Sequence, residues 1–316
     1  MTPAPPVGVD RGGAPARRIT AGKLYRAVRP FTWPVSALPV LVATAAVLPP
    51  SQWRWGVLVM AAVGVALLNF AGNLLNDYFD FRSGVDRRVE GDENRPGRVL
   101  VRGELLPRDV LVEAIACLVV ASGLGVALVV LCGPQLLWFG LAGVVGVYIY
   151  TGPPLQLKYR ALGEPLIFLL FGPLLMTGAA WAQTGRFEMA ALLLSIPVGM
   201  MTTAVLVGNN IRDREEDAGG RIRTLGQFAH GKVAIGVYLA LVIGSVLGLF
   251  AAALAARVPV LLLAAPLGLL LVAKPISSLC RGQRLPDIDA RTARFAGAMS
   301  VLIIVAYVLR DWLPRM

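Results

Sequence analysis

The chain has one histidine, His230, and three cysteines, Cys117, Cys132 and Cys280, in 316 residues. One histidine excludes histidine-based triads and histidine-rich metal centres. The cysteines lie scattered in or beside apolar runs, without metal-ligand spacing and without a disulfide framework. They read as small buried apolar residues. No Gly-x-x-x-x-Gly-Lys-Ser/Thr run occurs, and no Gly-x-Gly-x-x-Gly follows a strand, so nucleotide-loop chemistry has no support. Charge is scarce too: 16% of residues are charged, against about a quarter in a soluble domain.

Apolar length is what the chain has instead. Hydrophobic residues make up 56%, and mean hydropathy is +0.68. Nine near-spanning runs are predicted, at 31–48, 53–77, 109–131, 134–151, 163–183, 187–210, 233–256, 258–273 and 295–312. The eighth is the weakest, being short and holding Pro266. The first holds Ala43-Thr44-Ala45, which looks like a signal-peptide cleavage site, but it begins late and contains Pro34 and Pro39. These runs predict an all-α polytopic membrane protein lying in a lipid bilayer. Residues 1–22, rich in Pro, Gly, Ala and Arg, read as a disordered cytoplasmic tail, and 23–316 as the transmembrane domain.

The basic residues set an expected orientation. The N-terminal tail and every second loop (80–108, 152–162, 211–232, 274–294) hold 25 of the 30 Lys and Arg. The other side holds Arg54, Arg186, Arg257, Arg310 and Arg315. By the positive-inside rule the N-terminus is cytoplasmic and the C-terminus outside. The net charge of +11 is therefore assigned to membrane loops, and no nucleic-acid partner is expected.

Two polar stretches interrupt this pattern. NLLNDYFDFRSGVD (73–86) and NNIRDREED (209–217) each end an apolar run on the expected cytoplasmic side. On a helix, Asn73, Asp77 and Asp80 share one face, as do Asn209, Asp213 and Asp217, with Asn210 on the adjacent flank. Carboxylates at a membrane edge are costly and are functional candidates by default. Clustered carboxylates and carboxamides without His or Cys suit a hard divalent cation, most naturally Mg²⁺. Two such patches suggest a clamp on a diphosphate. Asp86 reads as a residue behind the metal face or at its rim, and Glu90, Asp92, Glu93, Glu104, Asp287 and Asp289 read as a solvated rim paired with nearby arginines. The basic run Arg82, Arg87, Arg88, Arg95, Arg98 and Arg102 reads either as membrane-surface charge or, for Arg82, Arg98 or Arg102, as contact with the diphosphate.

With these motifs, and with YTGPPLQLKYRALGEP (150–165) and FGPLLMTGAAWAQTG (171–185), the chain resembles the UbiA superfamily of intramembrane prenyltransferases. It is most similar to the branch acting on 1,4-dihydroxy-2-naphthoate in menaquinone synthesis. The resemblance runs from Arg29-Pro30 to Thr292-Ala293-Arg294. It implies nine transmembrane helices around a central cavity, with Mg²⁺ holding a polyprenyl diphosphate between the two motifs. Asn73, Asp77, Asp80, Asp213 and Asp217 fall on the superfamily's motif positions. Asn209 and Asn210 match the asparagines that lead the second motif. Lys158 and Arg160 fall where a cation near the diphosphate is expected, and Arg223 is kept in RIRTL (221–225), where Ile222 replaces a lysine. The loop ENRPGRVLVRGEL (93–105) resembles other branches as well.

The implied reaction is prenylation of an aromatic acceptor by an isoprenyl diphosphate, with carbon dioxide lost if the acceptor is the naphthoate. Lys158, Arg160 and Arg223 would support the leaving charge. Tyr78 and Tyr150 read either as cation–π partners of an allylic cation or as interface anchors. Two alternatives stand beside this: the same chemistry on another aromatic or lipid acceptor, and a secondary transporter. Acids confined to one membrane edge argue against transport.

Overall fold

In a computed structural model the described residues are 20–84, 99–214, 224–254, 258–283 and 285–310. Among them every regular element is helical, as backbone groups placed in lipid require. A short helix α1 (Ala21–Val28) leads through a 3₁₀ turn, Pro30–Thr32, into α2 (Trp33–Val47). Then come α3 (Trp55–Ser83), α4 (Pro107–Cys132) and α5 (Leu136–Thr151). A 3₁₀ turn, Leu157–Arg160, precedes α6 (Gly163–Leu169), which passes through a π-helical turn into α7 (Leu175–Thr184). The second half holds α8 (Met189–Arg212), a 3₁₀ segment Leu225–Gly231, α9 (Lys232–Leu254), a 3₁₀ helix Val260–Leu271, α10 (Ala273–Cys280) and α11 (Ile288–Val308).

The chain is an integral membrane protein. By length and composition, six spans qualify among the described residues: α3, α4, the continuous Gly163–Thr184, α8, α9 and α11. Two bent pairs, α1 with α2 (59°) and Val260–Leu271 with α10 (47°), raise the number to eight if each crosses once. The shorter apolar α5 is the remaining segment of the nine expected. The eighth segment is 3₁₀ rather than α and contains Pro266. Proline there lacks the N–H an α-helix needs, and the tighter 3₁₀ coil rises about 2 Å per residue, so 12 residues reach further than α would.

Helix α2 is central: it packs on α3, α7, α8 and α11. Val40, Met176, Met201, Tyr238, Phe295 and Met299 are fully or nearly fully buried in the core that α2, α7, α8 and α11 share with α9. Burial separates inner from outer helices. Of the apolar window of α8, 61% is buried, and of α4 only 6%. Val112, Ile115, Val119, Val126 and Val130 of α4 are exposed, which places that face against lipid. A second cluster, Ala27, Leu74, Val99, Leu100 and Val110, docks α1 and the 99–105 turn onto α3 and α4. Glu104 completes that joint, accepting Arg26 at 2.8 Å and Arg102 at 2.7 Å. Burial alone would raise its pKa, but the two guanidiniums hold the carboxyl below its ordinary value. Glu104 is thus the arginine-paired acid expected from sequence.

Arg54, one of five basic residues on the sparsely charged side, caps helices. Its Nη1 donates to Ala182 O (3.0 Å) and its Nη2 to Leu131 O (3.2 Å), carbonyls in the last turns of α7 and α4. Its backbone N–H donates to Gln183 Oε1 at 2.9 Å. A cation on terminal carbonyls satisfies orphan acceptors and favours the helix dipole. Arg54→Ala should therefore lower stability by about 1 kcal/mol, read as a fall in thermal midpoint in detergent with substrate affinity unchanged.

The cysteines differ from expectation. Cys117 and Cys132 are partly exposed and Cys280 is exposed, and all three are free thiols. Each sits on a helix turned at least partly outward, so apolar character in this chain goes with lipid contact as well as with core. The expected tail, 1–22, falls outside the described residues apart from Thr20 and the start of α1 at Ala21.

Candidate active site

Helix α3 continues through the first motif and stops at Gly84, whose φ of +73° forms the left-handed cap. Asn69, Asn73, Asp77 and Asp80 therefore lie along one face, as the i, i+4 spacing requires. Asp77 and Asp80 are buried, at 2% and 4% exposure. A buried carboxylate needs a partner, and each has a cation from another part of the chain.

Asp77 is paired with the Arg29 guanidinium. Arg29 sits between α1 and the 3₁₀ turn with φ 54° and ψ 60°, an uncommon conformation for a residue with a Cβ. Local bonds hold it there. The Thr32 N–H and hydroxyl both donate to Arg29 O, each at 2.9 Å. The Thr32 hydroxyl accepts Asn69 Nδ2 at 2.8 Å and Asn73 Nδ2 at 3.3 Å, and Asn73 Nδ2 also reaches Val28 O at 3.2 Å. The turn 28–32 is thereby fastened to the polar face of α3.

Asp80 meets the second stretch singled out by sequence. Lys158 Nζ donates to Asp80 Oδ2 at 2.6 Å and to Asn76 Oδ1 at 2.7 Å, and Tyr159 Oη donates to Asp80 Oδ1 at 2.5 Å. Gln156 and Ala161, either side of this turn, both have positive φ, 48° and 54°. Two such residues fix a tight loop at some conformational cost. Burial opposes the charge of Lys158, but Asp80 outweighs it and the ammonium pKa lies above the ordinary lysine value. Burial and the same carboxylate push the Tyr159 hydroxyl upward. Lys158 is thus a cation and Tyr159 a neutral donor.

The second motif begins on α8. Asn209 and Asn210 are in its last turn and Asp213 is its C-terminal cap, with its N–H donating to Asn209 O at 2.8 Å. Arg212 Nε donates to Asp213 Oδ1 at 2.6 Å, and the same guanidinium pairs with Asp289 of α11. Asn210 is buried, its Nδ2 donating to Glu164 Oε1 at 2.5 Å. Gly226 packs on the Asn210 backbone so closely that a Cβ would stand 2.2 Å from Asn210 O. Gly226→Ala must therefore displace one of the two segments, at an expected cost of about 1–3 kcal/mol, measurable as a lowered thermal midpoint.

Every described aspartate of the two motifs is thus ion-paired, Asp77 to Arg29, Asp80 to Lys158 and Asp213 to Arg212. The oxygen-only donor set fits a hard divalent cation, which would compete with these basic groups for the same carboxylates. Among the described residues no group of three His, Cys, Asp or Glu gathers in one place, so such a site would draw on the carboxamides as well. Among the described residues neither Arg160 nor Arg82 is paired with a motif carboxylate. Arg160 is exposed and donates to Pro154 O at 3.2 Å, and Arg82 is exposed and donates to Tyr78 Oη at 3.0 Å. Asp217, Arg223, Asp86 and the arginines at 87, 88, 95 and 98 lie outside the described residues.

Residues 36–302 match the UbiA prenyltransferase family. The chain belongs to that family. Among its relatives, a 1,4-dihydroxy-2-naphthoate octaprenyltransferase of Bacillus subtilis (strain 168) is 33% identical over 217 residues, 67% of each chain. The UbiA prenyltransferase domain-containing protein 1 of Gallus gallus is 32% identical over 219 residues, 69% of this chain and 65% of its own. The chain thus matches about two thirds of the length of these relatives. The fold agrees. A UbiA homolog from Archaeoglobus fulgidus, solved bound to GPP and Mg²⁺, superposes with a TM-score of 0.67 at 17% identity, over 90% of this chain and 99% of that one. A UbiA homolog from Aeropyrum pernix K1 gives 0.64 at 18% identity.

Within this UbiA family member, sequence reasoning passed over several residues that the fold brings to the motifs. Arg29, Thr32, Asn69, Tyr159 and Glu164 all bond to motif residues or hold those that do, and Asn76, inside the first motif itself, accepts Lys158. The Arg-Pro step at 29–30 and the Tyr next to Lys158 were visible signals, without a partner to assign them to. Asp289, expected at the rim, does pair with an arginine, but that arginine also holds Asp213.

Proposed function

We propose that the protein transfers an isoprenyl group from a polyprenyl diphosphate to an aromatic acceptor, 1,4-dihydroxy-2-naphthoate, releasing diphosphate and carbon dioxide and giving demethylmenaquinol, the reduced form of demethylmenaquinone. The observation that carries the reading is the pairing of each described motif aspartate with a basic side chain, in a family member about a third identical to a naphthoate octaprenyltransferase. A site already holding carboxylates and cations in contact has the components to receive a metal diphosphate: the carboxylates would hold the metal and the cations the phosphate oxygens.

Asp77, Asp80, Asp213 and Asp217, with the amide oxygens of Asn73, Asn209 and Asn210, would hold Mg²⁺. That ion would supply Lewis-acid stabilisation of the leaving diphosphate. Arg29, Lys158 and Arg212 then become available to diphosphate oxygens, adding fixed positive charge where negative charge develops. Breaking the allylic C–O bond leaves a carbocation, which forms a bond to the electron-rich ring carbon that bears the carboxyl group. Loss of that group as carbon dioxide returns the bonding electrons to the ring. The excess of Lys and Arg on one set of loops supports an active site open to the cytoplasm, with the N-terminus on that side.

The experiment is conversion in washed membranes of 1,4-dihydroxy-2-naphthoate and a polyprenyl diphosphate, with Mg²⁺ or with EDTA, followed by mass spectrometry of the lipid product. A prenylated, decarboxylated naphthoquinol formed only with the metal is the expected result. A prenylated product lacking the naphthalene ring from membrane extract would move the acceptor to another aromatic or lipid. No prenylated product under any condition overturns the reading.

A further inference from the structure

The two motifs lie 136 positions apart, counted from Asn73 to Asn209, yet one continuous set of contacts joins them through the start of α6. Lys158 holds Asp80 of the first motif at 2.6 Å. The α6 N-terminus is packed on that lysine's backbone: a Cβ on Gly163 would stand 3.5 Å from Lys158 Cα and 3.0 Å from Tyr150 Cε2. The next residue, Glu164, is buried at 8% exposure and accepts Asn210 Nδ2 at 2.5 Å. Asn210 is itself buried at 7% exposure and lies under Gly226.

A carboxamide presents a donor at one end and an acceptor at the other, and its partner decides which end faces where. Here Glu164 Oε1 takes the donor end. With Glu164 on the Nδ2 side, Asn210 is fixed with its Oδ1 as the end left for a cation. The geometry points to Glu164 as a positioning residue that sets the orientation of the Asn210 amide and couples the Lys158 turn to the second motif. It acts through Asn210 rather than on substrate. This rests on the reading of Asn210 as part of the metal-diphosphate site.

The test uses the full-length protein in detergent, with Mn²⁺ and inorganic pyrophosphate as probes and bound Mn²⁺ counted by electron paramagnetic resonance. Glu164→Ala is expected to weaken Mn²⁺ binding about tenfold, and Asn210→Ala to weaken it similarly. The double variant should be no weaker than about twofold beyond either single variant, because both act through one oxygen. Glu164→Gln keeps an acceptor for Nδ2 and should bind within about threefold of the parent. Glu164→Leu fills the volume and serves if the alanine variant does not fold. The role of Glu164 is overturned if its Ala and Leu variants bind like the parent while Asn210→Ala binds weakly, even if they melt earlier. It is also overturned if Glu164→Gln is as weak as Glu164→Leu, since charge rather than orientation would then be what matters. If Asn210→Ala itself binds like the parent, the underlying assignment of Asn210 to the site fails, and that result is distinct from the others.

Discussion

Asp77→Ala is expected to lower prenyl transfer by about 10³-fold, the scale of losing one preorganised group that stabilises developing charge. The carboxylate is almost fully buried and paired to Arg29. Its removal deletes a proposed metal ligand and also leaves the guanidinium without this counter-ion, so the turn at 28–32 loses one of its ties to α3 and keeps those of Thr32 and Val28 to Asn69 and Asn73. Product formation from equal amounts of membrane-inserted protein measures the first effect. The second predicts that Arg29→Ala in the Asp77→Ala background costs little more. Wild-type turnover in Asp77→Ala would remove this aspartate from the site.

The second large effect concerns Lys158. Replacing it by Met leaves the buried Asp80 carboxylate with the Tyr159 hydroxyl as its remaining side-chain donor among the described residues. Breaking a buried ion pair from one side costs about 3–5 kcal/mol, whereas neutralising both sides costs much less. Lys158→Met should therefore melt much earlier than the parent, and Lys158→Met with Asp80→Asn should recover most of the lost stability. Activity should not return in the double variant, because both the cation and the carboxylate are gone. A double variant as unstable as Lys158→Met alone would show that the pair is not what holds the turn. Lys158→Arg is not a conservative control, since a planar fork does not fit where a compact ammonium bridges Asp80 and Asn76.

What the sequence made legible was local. Asn73, Asp77 and Asp80 share a face because helical spacing puts them there, and the same rule placed Asn209 and Asp213 together at the end of α8. The apolar runs marked most helix ends to within about two residues, because runs of that length and hydropathy have few other uses, but α3 runs six residues past the expected 77 and α11 starts seven before the expected 295, where polar residues continue the helix. The long-range partners were not legible. Arg29 reaches Asp77 across 48 positions, Lys158 reaches Asp80 across 78, and Glu164 reaches Asn210 across 46. No periodicity encodes such pairs; they follow from how helices close around α2. The 3₁₀ coil at Val260–Leu271 was hidden for a different reason. Its composition is that of any apolar span, and the choice of coil is made by Pro266 and its packing against α9 and α11.

The length of α3 fixes the depth of the chemistry. Its 29 residues extend ~44 Å at 1.5 Å each, while the hydrocarbon layer is about 30 Å thick and takes about 20 residues. Trp53 and Trp55, with ring centroids 5.1 Å apart, suit the interface at the starting end. Counted from Trp55, the hydrocarbon ends near Leu74, and Asp77 and Asp80 stand about 4–9 Å beyond it. An ionic head held there rests among lipid headgroups, where charge is far cheaper than at mid-bilayer. Its hydrocarbon tail can remain on the apolar side of that boundary. Under the proposed reaction, partition into the membrane, about 0.8 kcal/mol for each buried CH₂, would gather long-tailed substrates before any protein contact is made. The motifs would then be left to recognise the reactive end at a constant height, whatever the length of the chain behind it.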